Sequence, residues 1–203
     1  MYFLRDHTKR LPIVIALAVL LSAFGCEVED PVREDVPELI TKLTLTFTPT
    51  VGDPVVVTAT DPDGEGVQDV QVDGDIKLEA TKSYSLSLTL ANGLVNPSDP
   101  QYDVTEEIEK EGDEHIFFFS WTNEVFSDPT GNGNIDSRAD VVNYEDDDVN
   151  GLPIGLATVW TAGVASSGDF RIMLKHQPDL KSATSESGVG ETDLDLTFAV
   201  KVE

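Results

Sequence analysis

Residues 84–90 read YSLSLTL, with Tyr84, Leu86, Leu88 and Leu90 alternating with Ser85, Ser87 and Thr89. Side chains point to opposite faces along an extended chain, so a period of two buries one face and leaves the other in water. Strands of a parallel sheet, covered on both sides, read as unbroken apolar runs instead. The same alternation sets Leu43, Leu45 and Phe47 against Thr44, Thr46 and Thr48, and it returns at Phe170, Ile172 and Leu174. Near the C-terminus Leu194, Leu196, Phe198 and Val200 take one face, and Asp193, Asp195, Thr197 and Lys201 the other. Further strands are predicted at 54–60, 115–121, 140–144 and 156–161.

Turn chemistry separates these runs: Asp63-Gly64, Asp73-Gly74, Asn92-Gly93, Asn132-Gly133, Asn150-Gly151 and Ser167-Gly168. About eight short strands with such turns predict an all-β fold, an antiparallel β-sandwich of the Ig-like, Greek-key type, over residues 39–203. One short helix is expected at 105–111 (TEEIEKE), capped by Thr105, with Glu106 and Glu107 at its positive end. In 117–119, three consecutive phenylalanines put Phe118 on the face opposite Phe117 and Phe119. Trp121 and Trp160 are expected in the core.

The chain has 203 residues, with 13 Lys and Arg against 38 Asp and Glu, a net charge of −25. Such acidity argues against nucleic acid and anionic lipid surfaces as partners, since both select clustered Lys and Arg. A single cysteine excludes a disulfide framework or a cysteine-rich zinc site. That cysteine has a telling position. Arg5, Lys9 and Arg10 precede the uncharged run 11–24, LPIVIALAVLLSAF, which is too short to span a bilayer and suits a secretory signal. Small residues Ala23 and Gly25 then flank Cys26, an arrangement that resembles a bacterial lipobox. The expected division is a signal peptide at 1–25, lipidation at Cys26, an acidic tether over 26–38, and the β domain. Removing 1–25 leaves 10 basic and 37 acidic residues. The acidic start of the tether, Glu27-Val28-Glu29-Asp30, is similar to the export signal of surface lipoproteins in Bacteroidetes-type bacteria.

Four blocks extend that resemblance: 103–119 (DVTEEIEKEGDEHIFFF), 150–156 (NGLPIGL), 174–179 (LKHQPD) and 190–198 (GETDLDLTF). They are similar, in the same order, to blocks of a small lipoprotein family of Bacteroidetes-type bacteria. The resemblance implies a place near outer-membrane receptor genes. Members also carry the label "type 1 periplasmic binding fold", which implies two α/β lobes and about twice this length. The period-two pattern predicts all-β instead.

Two histidines lie in the predicted domain. His115 opens the strand 115–121 beside Asp113 and Glu114, and His176 follows the strand 170–175. Histidines at strand ends with carboxylates next to them suit a Zn²⁺ or Cu²⁺ site, made of His115, His176, Glu114 and Asp113. Two unrelated surface histidines would give the same pattern. A calcium alternative comes from three loops. Asp146, Asp148 and Asn150 open like an EF-hand loop, and Asp128, Asn132 and Asp136 are spaced similarly. Asp61 and Asp63 add a third cluster. Both EF-hand-like loops lack the acid at position twelve, where Ala157 and Ala139 stand. Asp, Asn and Gly also favour ordinary turns.

No G-x-S-x-G elbow, phosphate-cradling glycine loop or H-E-x-x-H motif is present. The expectation is a non-catalytic, lipid-anchored outer-membrane protein, exposed at the surface, that binds a divalent cation or metal complex as accessory to an uptake receptor. The alternative is an adhesive or structural module with calcium-stiffened loops.

Overall fold

The computed structural model describes residues 38–64 and 66–203. The expected signal peptide, Cys26 and the acidic tether up to residue 37 lie outside the described residues, as does Glu65 in the third acidic loop.

Among the described residues, ten strands and one helix follow in chain order: β1 (Lys42–Pro49), β2 (Val55–Thr60), β3 (Gln71–Val72), β4 (Ile76–Leu78), β5 (Ser83–Ala91), α1 (Val104–Lys110), β6 (His115–Trp121), β7 (Phe126–Asp128), β8 (Ala157–Ala162), β9 (Ser166–His176) and β10 (Glu191–Val202). Six strands form one sheet in the order β3-β2-β1-β5-β8-β7, and four form the other in the order β4-β10-β9-β6. The all-β expectation and the buried faces of β1, β5 and β10 hold. In β5 the apolar positions from Tyr84 to Leu90 are buried and the Ser and Thr positions between them exposed.

The core lies between the sheets. Phe47 of β1, Trp160 of β8 and Phe126 of β7 meet Phe170 of β9 with ring centroids 6.3, 5.0 and 5.2 Å away. Phe119 of β6 stacks on Phe170 at 5.7 Å. Burying each such side chain contributes about 1.5–3 kcal/mol, and edge or offset ring contacts add to it. Trp121 and Trp160 are both in this core. Phe118 points the other way, into a small cluster with Ile116, Ile135 and Met173.

Several details correct the sequence reading. The strands number ten rather than about eight, because β3, β4 and β7 are two or three residues long and too short to show a period. The two sheets are not the wholly antiparallel Ig-like sandwich expected: β4 pairs parallel to β10, Ile76 opposite Val200 and Leu78 opposite Val202. Residues 140–144 form no strand. Tyr144 makes one bridge to Thr158, and its hydroxyl donates to the Phe117 carbonyl at 2.7 Å while accepting from Asn134 Nδ2 at 2.9 Å. The segment is fixed by side chains, which no backbone period announces. The helix begins one residue early, with Asp103 as its cap, accepting from the Glu106 amide. Thr105 instead exchanges hydrogen bonds with the Leu90 backbone, which pins the helix to β5.

Candidate metal centre

β6 and β9 pair antiparallel with His115 directly opposite His176. Facing residues in an antiparallel pair have Cβ atoms about 4.5–5.5 Å apart, so the ladder register alone brings the imidazoles together. Their rings stack with centroids 4.6 Å apart and planes 7° from parallel. Both histidines are buried, His115 completely.

The loop from β9 to β10 holds this end of the ladder. Gln177, which follows His176, donates its amide to the Glu114 carbonyl at 2.6 Å and its side-chain nitrogen to the Glu186 and Val189 carbonyls. Gly190 sits at φ +74°, where a Cβ would lie 2.1 Å from the His176 carbonyl oxygen. Only glycine fits that approach. It brings Glu191 opposite His176 at the start of β10.

Glu38 comes from the segment just before β1. Its Oε1 is 3.1 Å from His115 Nε2, and its side chain is 6% exposed. Ligand atoms of Glu38, His115 and His176 lie within 4.8 Å of one another. Among the described residues, no other three imidazole, thiol or carboxylate groups converge so closely.

Protonation is set by the neighbours. His115 Nδ1 lies 3.1 Å from the Glu111 carbonyl oxygen. A carbonyl can only accept, so Nδ1 carries a proton, which leaves Nε2 as the ring nitrogen directed at Glu38 and the one a metal would take. A backbone partner behind one ring nitrogen is a common way to aim the other at a metal. His115 Nε2 and Glu38 Oε2 are buried without a hydrogen-bond partner. Burial pushes the Glu38 carboxyl up, but His115 and His176 outweigh it and hold it below the usual carboxylate range.

Asp193 completes the surroundings. β10 carries a bulge here: Thr192 is opposite Lys175 and Leu194 opposite Leu174, leaving Asp193 without a partner in the ladder. Its side chain is fully buried, with Oδ2 4.0 Å from His115 Nε2. The period-two reading placed Asp193 on the wet face; the bulge turns it inward. Burial first, then the Glu38 charge, pushes its carboxyl up to about 6, against the pull of the two imidazoles. Asp193 also lines a cavity of about 210 Å³ with Ile40, Thr41, Leu43, Asp61 and Leu196.

The other predicted ligands are placed differently. Glu114 is at the rim: its Oε2 lies 3.2 Å from His176 Nε2 and its side chain is 39% exposed. Asp113 is exposed and acts on Lys181 through its charge rather than joining the cluster. Glu38, read as the end of a solvated tether, is instead folded against the histidines.

In the calcium candidates, the carboxylates bond to backbone amides. Asp146 accepts from the Gly155 and Leu156 amides at 2.9 and 2.8 Å. Asp148 accepts from Asn150 and Leu152, and its other oxygen is 2.9 Å from the buried Lys181 ammonium. Asn150 is exposed and contributes its backbone amide to that turn. Asp61 closes an Asx-type turn onto the Asp63 and Gly64 amides, and Asp63 accepts from Val67 and Gln68. Asp128 ends β7, and Asn132 and Asp136 are exposed, with the Asn132 amide donating to Asp140.

Among the described residues, no helix is long and apolar enough to cross a membrane. Comparison of the chain with protein-family models, with curated proteins and with solved structures found no match in any of the three.

Proposed function

We propose that this protein is a non-catalytic, lipid-anchored protein of the bacterial outer membrane that captures a divalent transition-metal ion at Glu38, His115 and His176. The observation that carries the metal reading is the convergence of those three ligand atoms within 4.8 Å, with Glu38 Oε2 and His115 Nε2 buried. Buried polar groups are nearly always paired, and a cation would pair these. Two imidazoles with carboxylate suit Zn²⁺ or Cu²⁺, whereas Ca²⁺ takes six to eight oxygen ligands.

The anchor reading rests on the leader 1–25, with its uncharged run 11–24, and on Cys26 behind it. Glu38 lies twelve residues after that cysteine, so capture would take place close to the membrane. Accessory service to an outer-membrane uptake receptor follows from the family resemblance of the four sequence blocks. In this reading the surface-facing domain holds the metal, or a complex of it, for transfer.

The test is metal titration of the chelator-stripped protein, with thermal unfolding as the readout. A ligand at 100 times its Kd stabilises by about 2.7 kcal/mol. A Zn²⁺ or Cu²⁺ shift that disappears in the His115→Ala, His176→Ala double variant supports the centre. No shift with either ion sinks it. Labelling with radioactive palmitate, compared between the natural chain and Cys26→Ser, tests the anchor separately.

A further inference from the structure

We propose that Asp193 is the fourth ligand of this centre, closing a two-histidine, two-carboxylate tetrahedron that selects Zn²⁺. The inference rests on the metal reading above and deepens it. Three observations carry it. The Asp193 side chain is fully buried, yet neither oxygen makes a hydrogen bond. Oδ2 stands 4.0 Å from His115 Nε2, the nitrogen that Glu38 Oε1 approaches to 3.1 Å from another element. And the β10 bulge isolates Asp193 from the ladder, so its orientation is not a by-product of sheet pairing.

The distances suit zinc. With metal–ligand bonds of about 2.0–2.1 Å in a tetrahedron, ligand atoms lie roughly 3.3 Å apart. Glu38 Oε1 and His115 Nε2 are already near that spacing at 3.1 Å, and Asp193 Oδ2, 4.0 Å from the same nitrogen, must move inward to join them. The charges suit it as well. Two neutral imidazoles and two carboxylates cancel a divalent cation, leaving no net charge to bury. Four protein ligands leave no open position, which makes this a holding site rather than a catalytic one. Without the ion, the Asp193 carboxyl is buried beside the Glu38 charge with no hydrogen bond to offset that burial.

A ligand and a structural side chain give opposite signs on replacement. The experiment is calorimetric titration of Zn²⁺ into the chelator-stripped, full-length protein, with melting of the metal-free form alongside. Three chains are compared: natural, Asp193→Asn and Glu191→Gln. Glu191 is exposed and acts on Asp193 through its charge, so it controls for general electrostatics. Asp193→Asn is expected to weaken Zn²⁺ binding by more than the roughly 10–100-fold that loss of an outer partner costs, while raising the metal-free melting temperature. Glu191→Gln should change affinity about threefold or less, as a screened exposed charge does. Equal effects of the two substitutions, or a lowered metal-free melting temperature in Asp193→Asn, would overturn the ligand role and leave the three-residue centre standing. Absence of Zn²⁺ binding in the natural chain would overturn both.

Discussion

His115 and His176 are cross-strand neighbours, their rings stacked 4.6 Å apart at the closed end of the β6–β9 ladder. The stack holds both imidazoles at one place before any ion arrives; because a ring nitrogen's lone pair lies in the ring plane, at least one of the parallel rings must turn for both to ligate the same ion. Replacing both with alanine should abolish the Zn²⁺-dependent rise in melting temperature. For a domain of this size that rise is about 5–10 °C at 100 times the Kd. Differential scanning fluorimetry with and without the ion measures it.

The metal-free protein should respond to pH through Asp193. Its carboxyl is raised to about 6 in the fold, against about 3.9 in an unfolded chain. The raised group contributes stability that is full below about pH 4 and lost as the pH climbs through about 6. Glu38, held low, works the opposite way, and its contribution fades only as the pH falls below the usual carboxylate range. Urea melts of the metal-free protein at pH 4.5 and 7 should therefore show Asp193→Asn gaining more over the natural chain at pH 7. Equal gains at both would show that Asp193 titrates normally.

Tyr144 anchors the segment 140–144 to β6. Its buried hydroxyl is pushed up to about 12, chiefly by burial. Tyr144→Phe leaves the Phe117 carbonyl and Asn134 Nδ2 without this partner, at a cost of about 1–3 kcal/mol. The natural protein should also lose stability as the pH rises from about 10 to about 12, a limb that the variant lacks. Zn²⁺ affinity should be unchanged, since Tyr144 does not touch the histidines.

Lys181 and Asp148 form a pair whose side chains are 1% and 0% exposed. Lys181 also donates to the Gly112 carbonyl at 2.6 Å, just ahead of the strand that carries His115. Removing one member of a buried pair strands the other charge, a loss of about 3–5 kcal/mol. Lys181→Met should cost that much in chemical denaturation, and millimolar Ca²⁺ should not restore it. Restoration by Ca²⁺ would mean that the Asp146–Asn150 loop takes a cation after all.

Much of the architecture was legible in residues 84–90 and their counterparts, because burial on one sheet face imposes a period of two that survives in any sequence. His115 and His176 stood out for a related reason: His115 opens a strongly apolar strand, His176 ends an alternating one, and each has a carboxylate near it in sequence. Glu114 lies beside His176 while Asp113 is exposed, because the tight turn over 111–114 directs the two side chains differently. Glu38 was hidden. It follows a run of acids and prolines with no periodicity, and nothing local separates a solvated glutamate from one that folds back onto a histidine. Asp193 was hidden more deeply, because the alternation itself assigned it to water and one inserted residue reversed that.

The sequence by itself determined the class of fold, the buried faces of the longer strands and most of the turns, each a consequence of interactions between residues near in the chain; Ser167-Gly168, read as a turn, instead lies inside β9, which starts at Ser166. The tertiary structure decided which strands are neighbours, that β4 runs parallel to β10, and that side chains from β6, β9 and the segment before β1 converge, with Asp193 of β10 beside His115. Register between strands distant in sequence depends on the whole core closing at once, and a cluster of possible ligands assembled across several elements exists only after that closure.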